Sequence, residues 1–184
     1  MLKENISQTR KLTYMGLLAA VSVVLILLIN IPIFPSASYL KYDMADVPIL
    51  LATFLLGPAA GLEILFVVSA IQAFFLGGDG LVGLIMHFVA SGTFIVCAWL
   101  VYKKLGQSLK GLIFALVVGT LAQTLMMIPL NLIITVHAYG VPRDVVVAGL
   151  IPVTIPFNLL KAALNAIIFF LLYQALGIVF KKKA

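Results

Sequence analysis

The sequence predicts an all-α integral membrane protein, a bundle of six transmembrane helices that forms a single transmembrane domain over residues 1–184. Hydrophobic residues make up 64% of the chain and charged residues 10%, and the mean hydropathy is +1.23. A soluble domain is nearer about half apolar and about a quarter charged. Continuous apolar runs such as Leu17–Ile29 suit the roughly 20-residue helix that crosses a bilayer and lack the alternation of barrel strands.

The first helix is expected over about 12–34. It ends where Pro32 and Pro35 interrupt the apolar run, because proline cannot continue a helix. Residues 35–45 are polar enough to form an external loop.

The second helix is expected to be short. Asp46 is a suitable N-cap, and Pro48 is tolerated in a first turn. Gly57 and Pro58 then break the pattern, and a third helix is expected over 59–76. A helix of about twelve residues is too short to span upright, so we expect it to tilt or to pack against its neighbours.

Three longer helices complete the predicted bundle. Residues 77–80, Gly-Gly-Asp-Gly, predict a turn before a fourth helix over about 81–102. The fifth helix is expected over 111–137. A loop over 138–148 then leads to a sixth helix over 149–180.

The positive charges predict that both termini are cytoplasmic. With six spans, nine of the twelve Lys and Arg residues fall on the inner side: Lys3, Arg10, Lys11, Lys103, Lys104, Lys110, Lys181, Lys182 and Lys183. The external loops hold only Lys41 and Arg143. Five or seven spans would place one basic terminus outside, so six spans is the better prediction.

Polar side chains within the predicted helices are concentrated in their outer halves. At a rise of about 1.5 Å per residue, Lys161 lies roughly 30 Å above the cytoplasmic anchor Lys181. The same calculation places six polar residues at a similar depth: Asn30, Gln72, His87, Asn131, Asn158 and Lys161. We therefore predict one pocket that opens to the outside.

Lys161 is the most informative of these residues. Asn158, Lys161 and Asn165 share one helix face because they are three and four residues apart. A lysine in a membrane helix is costly unless it pairs, lines a wet cavity or snorkels to the interface. The pocket and the snorkelling interpretations both stay open here, and the neighbouring amides favour the pocket.

The sequence excludes several function classes. HExxH, GxSxG and Walker A motifs are missing, and no internal repeats with broken helices indicate a secondary transporter. The Lys and Arg residues that give the net charge of +6 flank hydrophobic runs and do not form a basic face. This argues against nucleic-acid binding. Cys97 is the only cysteine, so no intrachain disulfide can form. The remaining class is a binding protein that must take any energy for transport from a partner protein.

Three segments carry a family resemblance. Residues 39–61, YLKYDMADVPILLATFLLGPAAG, resemble the start of the substrate-binding S components of energy-coupling factor (ECF) vitamin transporters. They are most similar to the riboflavin-specific branch, with its L-x-x-D-x-x-D-V/I-P run and GP-x-x-G turn. Residues 129–131 (PLN) and 155–161 (IPFNLLK) match as well. The chain departs from the family at Met44-Ala45, where an aromatic or aliphatic residue followed by Ser is commoner.

The resemblance implies a non-enzymatic S component in the prokaryotic plasma membrane, with riboflavin as its transported ligand and no cofactor. Its implied partners are the lipid bilayer, a transmembrane coupling protein and two cytoplasmic ATPases, and it would topple in the membrane to release the vitamin inside. By motif, Asn131, Asn158 and Lys161 would bind the polar end of the flavin ring. The 35–45 loop, with Leu40 and Asp43, would close over the site, and His87 is a further candidate ligand-binding residue.

The first helix also carries a small-residue pattern, Gly16-x-x-x-Ala20, that permits close helix approach. It resembles the family motif that contacts the coupling protein, which would make Gly16, Ala19 and Ala20 docking residues. Packing within the chain is the alternative.

Two other functions stay open. The chain could be an S component for pantothenate or a thiamin precursor, or a membrane-embedded enzyme or scaffold.

Overall fold

The computed structural model describes residues 7–181, and within that range it is a helical bundle with one small β-hairpin. The first four helices are α1 (Gln8–Leu28), α2 (Asp46–Leu56), α3 (Pro58–Phe75) and α4 (Gly80–Lys104). Helix α5 runs through Leu109–Leu130, Asn131–Thr135 and Val136–Tyr139, and helix α6 through Arg143–Gly149, Leu150–Thr154 and Ile155–Lys181. All of them except α2 are long and apolar enough to cross a membrane.

Helix α1 ends at Leu28, six residues before the expected boundary at 34. The chain then becomes extended, because the residue before a proline disfavours helical geometry. Strand β1 (Ile31–Pro32) pairs antiparallel with β2 (Lys41–Tyr42), and a 3₁₀ turn at Pro35–Ala37 lies between them. The hairpin therefore gives a defined shape to the segment expected to be a loop.

Helix α2 lies in the centre of the bundle and contacts α1, α3, α4 and α6. Nine of its eleven residues are buried. A helix that is apolar on every side is stable only when neighbours surround it. This placement confirms that α2 packs against its neighbours, as its short length predicts.

The turn between α2 and α3 explains the GP-x-x-G sequence. Gly57 has a φ of +104°, which side chains rarely tolerate, and Pro58 begins α3 where its missing N–H costs nothing. A Cβ on Gly61 would lie 3.1 Å from the Thr53 Cβ and 3.3 Å from its Cα. Both glycines are therefore required for α3 to fold back closely against α2.

Helices α5 and α6 are longer than predicted because each continues through a π-helical turn. The turns are Asn131–Thr135 and Leu150–Thr154, each close to a helix-interior proline. Proline removes a backbone donor and disturbs the normal hydrogen-bond register, and π turns are frequent at functional sites. The expected loop at 138–148 shrinks to residues 140–142.

Candidate functional site

The site is organised by an ion pair between Asp43, in the 35–45 loop just after strand β2, and Lys161 of α6. Lys161 Nζ lies 2.7 Å from Asp43 Oδ2, and the two side chains are 12% and 5% exposed. Lys161 therefore pairs inside the protein instead of extending to the membrane interface. A buried charge requires such a partner, because losing water without one is strongly unfavourable. The sequence places Asp43 in the loop over the site but does not indicate Lys161 as its partner.

Asn165 fixes the same loop one helical turn further inward. Its Nδ2 donates to the Asp43 carbonyl at 3.2 Å, and its Oδ1 accepts from the Tyr42 hydroxyl at 3.1 Å. Burial raises the pKa of Tyr42, and the Asp43 carboxylate raises it further, so the phenol stays protonated and can donate. The amide thus joins two consecutive loop residues to α6.

The loop is also attached to α1 and to the start of α2. Asp43 Oδ1 accepts from the Ala45 N–H at 3.1 Å, and the buried Ser22 hydroxyl of α1 donates to the Ala45 carbonyl at 3.0 Å. Phe34 and Phe157 form an edge-to-face pair with ring centroids 6.3 Å apart. The loop is therefore held from both sides of the bundle.

A second polar cluster links α2, α3 and α4. His87 Nε2 lies 3.3 Å from Asp46 Oδ1, and Ser91 Oγ donates to Asp46 Oδ2 at 3.3 Å. The other ring nitrogen of His87 lies 3.1 Å from Ser69 Oγ. We expected Asp46 to cap α2, but it is the first residue of the helix and its carboxylate faces α4. His87 therefore supports α2 from a neighbouring helix.

The two predicted amides beside the π turns hydrogen-bond within their own helices. Asn131 Nδ2 donates to the Met127 carbonyl at 2.8 Å, and Asn131 Oδ1 accepts from Thr135 at 3.2 Å. Asn158 Nδ2 donates to the Thr154 carbonyl at 2.8 Å. Both amides are placed by α5 and α6, but neither is joined to the Lys161–Asp43 pair.

A small cavity lies between α2, α4, α5 and α6. Its polar lining residues are Asp46, Ser91, Gln123 and Asn165. Its apolar walls come from Ile49, Leu50, Phe94, Ile95 and Ala162. The cavity volume is only about 10 Å³, far below the roughly 300–1,000 Å³ of typical ligand sites. A ligand of that size requires the loop or the lining side chains to move.

The remaining predicted residues lie around this centre. Leu40 is half-buried in the loop, and its N–H donates to the Ala37 carbonyl at 2.9 Å. Asn30 is exposed, and Gln72 is half-buried. The six residues chosen by depth therefore do not form one cluster, and none of them lines the cavity.

Two of the three small residues of α1 face outward. Gly16 and Ala20 are exposed, and a Cβ on Gly16 would meet nothing within 4 Å. Ala19 is half-buried and packs against the hydrophobic core. The buried residues of α1 are Met15, Ser22 and Ile26, and Ala19 lies on the same side of the helix. Within residues 7–181, Gly16 and Ala20 are therefore open surface and Ala19 is not.

Sequence reasoning missed the role of two amides. Asn165 was noticed only as a neighbour of Lys161, and its link to Tyr42 crosses 123 positions. Gln123 lies on α5 two turns before Asn131 and was not singled out. A buried amide in an apolar helix is a signal that could have identified both. Among the described residues, no group of three or more His, Cys, Asp or Glu side chains could hold a metal ion.

Comparison with known proteins gives a consistent result. The family described as "ECF transporter, substrate-specific component" matches residues 10–173. The chain is 33% identical to the riboflavin transporter RibU of Staphylococcus aureus (strain TCH60), over 95% of this chain and 94% of that protein. It is 32% identical to the riboflavin transporter FmnP of Bacillus subtilis (strain 168), over 90% and 91% of the two chains.

A solved structure agrees with these relatives. It is described as the S component of a bacterial ECF transporter, and it superposes on this chain with a TM-score of 0.82 at 35% identity. The match covers 95% of this chain and 99% of the other. The fold and the sequence therefore identify the same group of proteins.

Proposed function

The chain belongs to the family of ECF transporter substrate-specific components, and we propose that it binds riboflavin for uptake across the cell membrane. The family consists of transporter components and not of enzymes. The helices of this chain and its relatives make it a multi-pass membrane protein. The observation that carries the riboflavin assignment is the similarity to riboflavin transporters along nearly the whole chain.

The site chemistry supports a flavin. Riboflavin has a flat ring with an apolar dimethylbenzene end, a uracil-like end rich in donors and acceptors, and a chain of hydroxyl groups. The cavity below the loop combines apolar walls with two amides, one hydroxyl and one carboxylate. Ligand sites commonly show this combination, because apolar contacts supply affinity and a few polar groups fix the orientation.

Asn131, Asn158 and Lys161 are the proposed contacts to the polar end of the ring. Asn158 is 4% exposed, and its side-chain hydrogen bond within residues 7–181 uses the NH₂ group, which leaves the carbonyl oxygen for a ligand. Lys161 can donate to a ring carbonyl while it keeps Asp43, since an ammonium group has three donors. Leu40 and Asp43 cover the site from the loop, and His87 supports it through Asp46.

Six membrane crossings with both termini cytoplasmic form the proposed topology. The excess of Lys and Arg in the segments expected to be cytoplasmic supports it. Lys3, Lys182 and Lys183 lie outside the described residues, while Lys103, Lys104 and Lys110 are exposed at one end of α4 and α5. The proposed partners are a transmembrane coupling protein and two cytoplasmic ATPases, with Gly16, Ala19 and Ala20 as the docking stripe.

The absorption spectrum of the detergent-purified protein tests the assignment. We expect bound flavin to give a yellow preparation with visible flavin absorbance. After removal of bound ligand, titration with riboflavin should quench flavin fluorescence to a one-to-one end point. Pantothenate and a thiamin precursor serve as matched competitors. If pantothenate or the thiamin precursor binds, as shown by displacement of its own labelled form, and riboflavin does not bind, the riboflavin assignment is wrong. The family assignment still holds in that case.

A further inference from the structure

The cavity below the loop is lined by four polar side chains, and none of them is among the proposed contacts Asn131, Asn158 and Lys161. Gln123 of α5 lines this cavity and is only 4% exposed. Its carboxamide takes part in no side-chain hydrogen bond within residues 7–181. No fully shielded side-chain N or O atom is left unpaired there, so the polar atoms of Gln123 reach the open space of the cavity. Polar groups inside a protein are nearly always hydrogen-bonded, because leaving water without a new partner is unfavourable. An amide that faces a small cavity without a protein partner is therefore a candidate ligand contact.

The other polar residues of the cavity differ from Gln123 in this respect. The Asp46 carboxylate accepts from Ser91 and contacts His87. Asn165 uses both ends of its amide on the loop. The hydrogen-bonding groups of these side chains have partners within the protein. Among the residues that line the cavity, Gln123 alone therefore offers both a free donor and a free acceptor.

The position of Gln123 extends the site inward. It precedes Asn131 by eight residues on the same helix, which corresponds to about 12 Å along the helix axis. The cavity that it lines lies one helical turn further inward than Lys161, at the level of Asn165. A ligand held by the loop and by Asn158 would therefore have to reach below the ion pair to meet Gln123.

We propose that Gln123 is a further ligand-binding residue that hydrogen-bonds a group carrying a donor and an acceptor side by side. The inference rests on the proposed function, because riboflavin is the ligand it concerns. A primary amide pairs well with such a group, since its NH₂ donates while its oxygen accepts. Riboflavin has this chemistry in two places, the imide edge of its ring and the hydroxyls of its ribityl chain.

Riboflavin titration of purified variants tests the contact. Gln123→Leu removes both hydrogen-bonding atoms, and Gln123→Met does so with an unbranched side chain if the leucine variant folds poorly. We expect riboflavin affinity to fall roughly 5- to 150-fold in either variant. Thr124→Val is the matched control, because Thr124 is the next buried residue and its hydroxyl bonds the Thr120 carbonyl of its own helix at 2.8 Å. It should bind riboflavin as the wild type does.

Two analogues separate the possible contacts. Lumiflavin has the ring but no ribityl chain, and N3-methylriboflavin lacks the imide donor. If Gln123 hydrogen-bonds the imide, the leucine variant loses affinity for lumiflavin as well. It then also binds riboflavin and N3-methylriboflavin equally. If it reads the ribityl chain, lumiflavin binding is unaffected by the substitution.

The inference is overturned if folded Gln123→Leu and Gln123→Met bind riboflavin as tightly as the wild type. It is also overturned if the Thr124→Val control loses as much affinity, because the effect would then come from packing in α5. A wild-type protein that binds no riboflavin refutes the proposed function before any variant is compared. A wild type that binds while the Gln123 variants are unchanged refutes only the role of Gln123.

Discussion

The ammonium group of Lys161 has one carboxylate partner, and that partner belongs to a loop. The pair therefore does two things at once, since it neutralises a charge inside the bundle and holds the loop to α6. Sequence depth alone predicted that Lys161 would matter. It could not identify Asp43, because the two residues are 118 positions apart and no local pattern connects them.

Replacing Lys161 with methionine is the sharpest test at this position. The change keeps the side-chain length and removes the charge, so a ligand carbonyl that Lys161 contacts would lose its donor. We expect riboflavin affinity to fall by about 5- to 150-fold, measured by fluorescence titration.

Lys41→Met is the matched control, because Lys41 lies on the same loop but is exposed. It should leave the affinity unchanged. Unchanged affinity in folded Lys161→Met would show that Lys161 only anchors the loop, and the polar end of the flavin would have to be bound elsewhere.

Hydropathy predicted the existence of every helix in the described chain, but several ends were wrong. Helix α1 ends early because the hairpin takes over residues 31 and 32, and a two-residue strand is too short to show a pattern. Helices α5 and α6 run longer than expected because π turns keep the chain helical near prolines. Asp46 precedes an apolar run as an N-cap does, and only the tertiary position of His87 shows its actual use.

The close contact between α2 and α3 predicts a stability effect at Gly61. Gly61→Val would place side-chain atoms against Thr53, and such overpacking costs about 1–3 kcal/mol. We expect a lower thermal midpoint for the detergent-purified protein in a fluorescence melting assay.

Gly177→Val controls for the helix propensity of valine, because a Cβ at Gly177 meets nothing within 4 Å. Its melting temperature should stay close to the wild-type value. Equal melting of the Gly61 and Gly177 variants would mean that α2 and α3 can separate without cost.

The proposed function gives the whole molecule two tasks on different surfaces. The proposed ligand contacts lie between the loop and the inner faces of the helices, whereas Gly16 and Ala20 of the proposed docking stripe are exposed on α1. Small exposed residues let another helix approach closely, so the stripe suits a helical partner in the membrane. Ligand binding and partner docking should therefore be separable by mutation.

Ala20→Trp tests this separation. A large ring on the stripe should prevent close approach of the coupling protein and abolish riboflavin uptake in cells, while the purified protein still binds riboflavin. Val21→Trp is the control, because Val21 is exposed on the same helix about 100° away around the axis. Parallel loss of binding and uptake in Ala20→Trp would show that the stripe supports the fold instead.

Orientation in the membrane is tested by cysteine labelling on a Cys97→Ser background. Single cysteines at Ser38 and Arg143 should react with a membrane-impermeant maleimide in intact cells, since both positions are external in the six-span topology. Cysteines at Lys104 and Lys110, on the opposite side, should stay protected until the cells are lysed. Labelling of position 104 or 110 in intact cells would reverse the topology.

The central position of α2 also determines when the bundle can finish folding during synthesis. Helix α2 leaves the ribosome early, yet one of the helices that enclose it is α6, the last to be made. Until α6 inserts, one side of α2 has no protein neighbour, and Asp43 has neither Lys161 nor Asn165. In a nascent chain, the side of α2 that α6 later covers therefore stays exposed through most of translation. Chains truncated before α6 should be recognised by membrane quality control as unfinished, although most of their helices are already present.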